Sequence, residues 1–295
     1  MASSIVHSGR ENVHSGRKNV HSGRKNIHSG FRKCRLGAGE FRRKRNRGKI
    51  FGDYLHVLVM IHLGGKMNKL TSGTVVSLVL KVLIVISVVV GTILSAVAGR
   101  TAFMGGKYVF TYFTIQSNIA IGLICLIGVI LLVSRKKIGN AWYVIKFMGT
   151  VSITLTGLVF CFVLAPTLAD KAWNIHNTLT HVVVPALSIV DFFITGAHSQ
   201  LKKRHVFFVM LLPLAYAIYA GIAYVNNWQF SPGRNYPYFF LNWGSPAGAF
   251  GFTRGLPFMG CGWWIIAILI LLVVVGLLYL WILKLIKKKG NHGTV

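Results

Sequence analysis

The chain alternates between long oily runs and short polar connections. Six of the runs, at residues 72–98, 108–133, 142–164, 174–195, 206–224 and 262–283, approach the roughly 20 residues that a helix needs to cross a bilayer. The pattern predicts an all-α, polytopic membrane protein with six transmembrane helices. Two of the runs carry polar intrusions, YFTIQSN at 112–118 and NTLTH at 177–181. Lipid is a poor solvent for hydroxyls, amides and imidazole, so an ionisable side chain at such a position points to function, and a hydroxyl within reach of a histidine points to a nucleophile with its base.

Helical geometry relates the two intrusions. Thr114 lies about six residues into the second run and His181 about seven into the fourth, each ~9 to 11 Å from the same end of the bundle at 1.5 Å per residue. Thr111, Thr114 and Asn118 are spaced to line one face of the second helix, and Asn177, His181, Ser188 and Asp191 one face of the fourth. Pro185, four residues after His181, predicts a kink there. Thr114 and His181 are the candidate catalytic residues, with Asn118 or Asn177 as candidates for donating to an oxyanion or orienting the pair. The other hydroxyls, Thr111, Ser117, Thr150, Thr154 and Ser188, read as interhelical glue. Asp191 lies deeper, near a basic connection, and is expected to pair with Lys202 or Arg204. Cys125 falls on the Thr114 stripe as a more distant nucleophile. His176 and His181 are poorly spaced for one face and have no third ligand, so no metal and no cofactor is expected.

Composition agrees with the pattern, at 54% hydrophobic and 13% charged residues and a mean hydropathy of +0.59. The formal charge of +28 suggests nucleic acid until it is located. Residues 1–66 hold 15 of the 33 basic and 3 of the 5 acidic side chains. They open on a seven-residue repeat, VHSGR(E/K)N, over 6–12, 13–19 and 20–26, with a fragment at 27–30. One apolar residue per unit and a glycine in each cannot build a coiled-coil seam, so this basic tail is expected to be disordered. Met67 reads as a natural start, and the tail as a segment outside the natural protein; no nucleic-acid partner is expected. The membrane domain is expected over 67–289 and a short cytoplasmic tail over 290–295. Basic clusters at 135–137, 202–204 and 284–289 alternate with sparsely charged connections, which by the positive-inside rule places both termini in the cytoplasm.

Between the fifth and sixth runs, residues 226–261 are rich in aromatics, with Pro232-Gly233 and Gly244-Ser245-Pro246 marking turns. Two readings stand: an aromatic belt at the interface, or a lid over the ends of the second and fourth helices that excludes water yet admits a lipid chain sideways.

Four motifs occur in order: YFTIQSN at 112–118, LTGLVF at 155–160, HVVVP at 181–185 with Asp191, and YPYFFLN at 236–242. Together they resemble the bacterial six-pass Pr6Pr membrane proteins over about residues 67–289. More remotely the pattern is similar to the androgen-induced protein family, six-pass enzymes that hydrolyse fatty acid esters of hydroxy fatty acids with a membrane-embedded Thr and His. The resemblance implies a bacterial plasma-membrane protein surrounded by lipid and acting on a lipid-ester substrate, with Thr114 as nucleophile and His181 as base. A non-catalytic lipid or small-molecule binder or transporter using the same polar stripes is the alternative.

Overall fold

A computed structural model describes residues 72–98, 106–135, 138–195 and 201–292; the repeat-bearing tail lies outside them. Six helices are long and apolar enough to span a membrane: α1 (Ser72–Ala98), α2 (Phe113–Val133), α3 (Asn140–Lys171), α4 (Ile175–Ile194), α5 (Lys203–Val225) and α6 (Cys261–His292). No strand occurs among the described residues. The chain is therefore an all-α, six-span membrane protein.

α1 turns small and polar residues toward the bundle and oily ones outward. The buried face of α1 is Ser77, Lys81, Ile84, Val88, Gly91 and Ser95, recurring every three or four positions, while Val79, Ile86, Val89 and Ile93 point outward. Small and polar residues let helices approach where lipid offers no hydrophobic drive, and the oily residues face the chains. Such packing is tight at Gly91, where a Cβ would stand 2.9 Å from the Thr180 methyl of α4. α3 is the central helix, with 61% of its apolar window buried against 28–39% in the others. Its Thr154 hydroxyl lies 2.6 Å from that of Tyr279 on α6, and its Thr156 hydroxyl 2.8 Å from that of Ser117 on α2.

The remaining expected glue residues act locally. Thr150 and Ser188 donate to carbonyls of their own helices at 2.8 and 2.7 Å. Thr111 lies outside α2, in the 3₁₀ turn Gly106–Thr111, and donates to Tyr108 O at 2.6 Å. It therefore does not share the face of Thr114. Cys125 is packed in a core with Ile84, Val88 and Ile121.

Asp191 requires a correction. It pairs with neither Lys202 nor Arg204 but with two lysines inside the bundle: Lys81 of α1 at 2.6 Å and Lys146 of α3 at 2.8 Å. Ser77 adds a hydrogen bond to Oδ1 at 2.7 Å. Lys202 and Arg204 are exposed, where water solvates them better than a buried carboxylate would, whereas the Lys81 and Lys146 side chains are nearly buried inside the bundle and need an internal partner. Three helices are thus tied together by one carboxylate.

Candidate functional site

Both helices that meet at His181 widen there. α4 carries a π-helical turn at Leu179–Val183, directly before Pro185. The extra residue in that turn accommodates the proline's missing N–H and its ring, so the expected kink takes the form of a π-bulge. α3 has its own π turn at Phe160–Leu164. Phe160 stacks on His181 with ring centroids 3.8 Å apart and 21° between planes. Such bulges are uncommon and recur at functional sites. Gly157 permits the approach, since a Cβ there would stand 2.9 Å from the His181 carbonyl oxygen. Gly157→Val is expected to push α3 off α4, lowering the thermal unfolding midpoint by several degrees in a detergent melt.

The hydrogen bonds set the tautomer of His181. Its Nδ1 is 3.0 Å from the Asn177 carbonyl, which only accepts. Thr180 Oγ1 is also 3.0 Å away but spends its proton on His176 O at 2.8 Å. Nδ1 therefore carries the hydrogen, and in the neutral ring Nε2 keeps its lone pair. Nε2 makes no hydrogen bond to a described residue. Packing on Phe160 and the Asn177 carbonyl together fix a nearly buried imidazole with its basic nitrogen unoccupied.

Thr114 opens α2 and lies in the wall of an apolar cavity of about 60 Å³, with Phe113, Thr156, Tyr216, Tyr238 and Phe240. Its hydroxyl is 3.4 Å from the Tyr238 hydroxyl, which also accepts from the Thr114 N–H at 3.3 Å. Tyr238 belongs to the long connection between α5 and α6. Its ring stacks on Phe240 at 5.0 Å and meets Tyr112 edge-on at 5.7 Å, while Trp264 Nε1 donates to Pro257 O at 2.9 Å to anchor the same connection on α6. The connection thus folds over α2, α5 and α6, and α4 is not among the helices its rings meet. Burial of its hydroxyl end pushes the Tyr238 phenol above the ordinary tyrosine value, so it remains a proton donor.

The two intrusions share a layer through Asn118. Its amide nitrogen donates to Thr114 O at 2.8 Å and to Thr180 O at 3.0 Å, joining α2 to the residue beside His181. Both of its N–H groups are used, which leaves neither for an oxyanion, and its Oδ1 is buried without a partner. Asn177 orients His181 through its main-chain carbonyl, while its side chain donates to Ala172 O at 2.9 Å. No hydrogen bond joins Thr114 to His181; the hydroxyl meets Tyr238, and His181 does not line the cavity. No group of three His, Cys, Asp or Glu side chains lies together among the described residues.

The residues that complete this layer without having been assigned a role from the sequence are Tyr238, Thr180 and Phe160. For Tyr238 the signals were its place in an aromatic-rich connection and in the YPYFFLN motif. For Phe160 it was its place at the end of LTGLVF; its stacking partner, on another helix, leaves no local trace. Compared with family models, curated proteins and solved structures, the chain matches none of them.

Proposed function

We propose that this six-span protein is an intramembrane hydrolase of lipid esters, with Thr114 as nucleophile and His181 as general base. The observation that carries the reading is a nearly buried hydroxyl in an apolar cavity, one Asn118 bridge away from a histidine whose Nε2 is unoccupied. Its motifs support placing it with the Pr6Pr proteins and, more remotely, beside the androgen-induced family. Threonine is a weak nucleophile that needs a base and a site free of bulk water.

In the proposed reaction Thr114 Oγ1 attacks the ester carbonyl and passes its proton to Nε2. The Tyr238 hydroxyl donates to the oxyanion in place of Asn118 and Asn177, whose amide hydrogens are committed elsewhere. Collapse expels the alcohol, which takes the proton from the imidazolium. Water, deprotonated by the same Nε2, then releases the acid from the acyl-threonine. An acyl chain is far larger than the present cavity, so it enters by displacing the Phe240 ring, while the Tyr238 hydroxyl turns from Thr114 Oγ1 to the oxyanion and leaves the Thr114 hydroxyl to His181.

A fluorophosphonate carrying a long alkyl chain tests the reading in purified protein. Covalent mass added at Thr114, together with hydrolysis of long-chain esters in micelles, is the expected result. Tight, saturable binding of the same esters without mass addition or turnover would instead favour the lipid-binder reading, which the Thr114–Tyr238 pairing suits. Localisation to a bacterial plasma membrane with both termini inside belongs to the same proposal. On a cysteine-free background in intact cells, Gln229→Cys is expected to react with an impermeant maleimide and Lys203→Cys to stay unlabelled. The reverse pattern would invert the topology.

A further inference from the structure

At the other end of α2 from Thr114 lies a second polar cluster, independent of the ester-hydrolase reading. Lys81, Lys146 and Asp191 have side chains 5%, 7% and 1% exposed. Two ammonium groups and one carboxylate leave one positive charge in excess inside an apolar bundle, an arrangement that is costly without a counter-ion. No further acidic side chain among the described residues supplies one. Past residue 66 the chain's only acidic side chains are Asp191 and Asp170, and Asp170 sits at the far end of α3.

The excess charge is Lys146. Lys81 takes both carboxylate oxygens, at 2.6 and 2.8 Å, and Ser77 at 2.6 Å. Lys146 shares Oδ2 and otherwise bonds neutral oxygens, Thr195 Oγ1 at 2.5 Å and the Asp191 carbonyl at 3.3 Å. It can leave Oδ2 without orphaning the carboxylate.

Both lysines line a cavity of about 360 Å³ formed where α1 and α3 begin and α2 and α4 end, a volume in the range of small-ligand sites. Trp142 and Tyr143 also line it, and neither the indole N–H nor the phenol O–H bonds a described residue. The described ends of the connections beside it carry Arg135 and then Lys202, Lys203 and Arg204, a basic rim that concentrates anions at the entrance.

We propose that this cavity binds a phosphate-bearing anion, with the phosphoryl group seated against Lys146 and held by the Trp142 and Tyr143 donors. Lysine recognises phosphate as a point charge, and basic pockets between membrane helices take acidic lipid head groups. The same chemistry reaches the site from two sources: a phospholipid entering between helices, or a soluble phosphate ester entering from the basic end.

The full chain in a neutral detergent, melted with dioleoylphosphatidylglycerol or with sn-glycerol 3-phosphate, distinguishes them. A saturable rise in the unfolding midpoint is expected with at least one probe; lipid alone identifies a head group, and glycerol phosphate alone or both identify an aqueous ligand. Lys146→Met keeps the Lys81–Asp191 pair and is expected to weaken the response at least tenfold in concentration, whereas Lys203→Met on the rim changes it less than threefold. Absence of a response to either probe in wild type overturns the proposal, as does a wild-type response in Lys146→Met. Should Lys146→Met fail to fold, Trp142→Phe/Tyr143→Phe decides in its place, and a wild-type response there overturns it equally.

Discussion

Thr114→Ala is expected to abolish both fluorophosphonate labelling and ester hydrolysis, and His181→Ala to lower hydrolysis by about 10³-fold or more. The reason is chemical before it is structural. A threonine hydroxyl holds its proton far above neutral pH, so attack requires a base at the moment of reaction, and Nε2 of His181 is the unoccupied base in this layer. Because nucleophile and base act as one unit, the double variant is expected to be no worse than Thr114→Ala alone. Tyr238→Phe keeps the ring stacked on Phe240 but removes the hydroxyl, and is expected to cost about 10²-fold in kcat. Ser188→Ala serves as the neutral comparison, since that hydroxyl only bonds its own helix. Initial rates on one long-chain ester, with folding checked by detergent melts, read the series. Full hydrolysis by Thr114→Ala would end the nucleophile assignment.

The parts of this layer differ in how far the sequence reveals them. The six spans were legible because a bilayer demands continuous apolar length, and the observed helices begin and end within about five residues of the expected ones, except that α3 runs seven residues further to Lys171 and α6 nine further to His292. That the helices of Thr114 and His181 are joined in one layer, through Asn118, follows the expected depth along the two helices. How they are held was not. The π turns at Phe160–Leu164 and Leu179–Val183 shift the register by one residue without altering hydropathy, and only Pro185 hinted at either. Thr111 fitted the stripe of Thr114 by spacing, but the backbone is in a 3₁₀ turn there, so the spacing rule did not apply. The Tyr238 hydroxyl reaches Thr114 from 124 residues away, a closure that periodicity cannot register.

The largest stability effect is expected at Asp191, and it follows from the partners that local reasoning missed. Lys81 and Lys146 stand inside oily runs, which was itself the available signal, because a lysine so far from a helix end needs an internal anion. Among the described residues Asp191 is the one acid positioned to serve both. Asp191→Ala leaves two ammonium groups buried and unpaired, and is expected to cost about 3–5 kcal/mol, enough to prevent accumulation of a folded protein. Removing charge in balance has a different outcome. Lys81→Met/Lys146→Met/Asp191→Leu replaces the cluster with apolar side chains of similar size and is expected to stay within about 1–2 kcal/mol of wild type, because no ion is left without a partner. Lys202→Ala and Arg204→Ala, at exposed positions, are expected to change the unfolding midpoint by no more than surface substitutions do, about 0.5 kcal/mol. Detergent melts of these variants side by side check the order. If Asp191→Ala were as stable as the triple replacement, the carboxylate would not be what holds α1, α3 and α4 together, and a destabilised Lys202→Ala would return the partnership to the exposed connection.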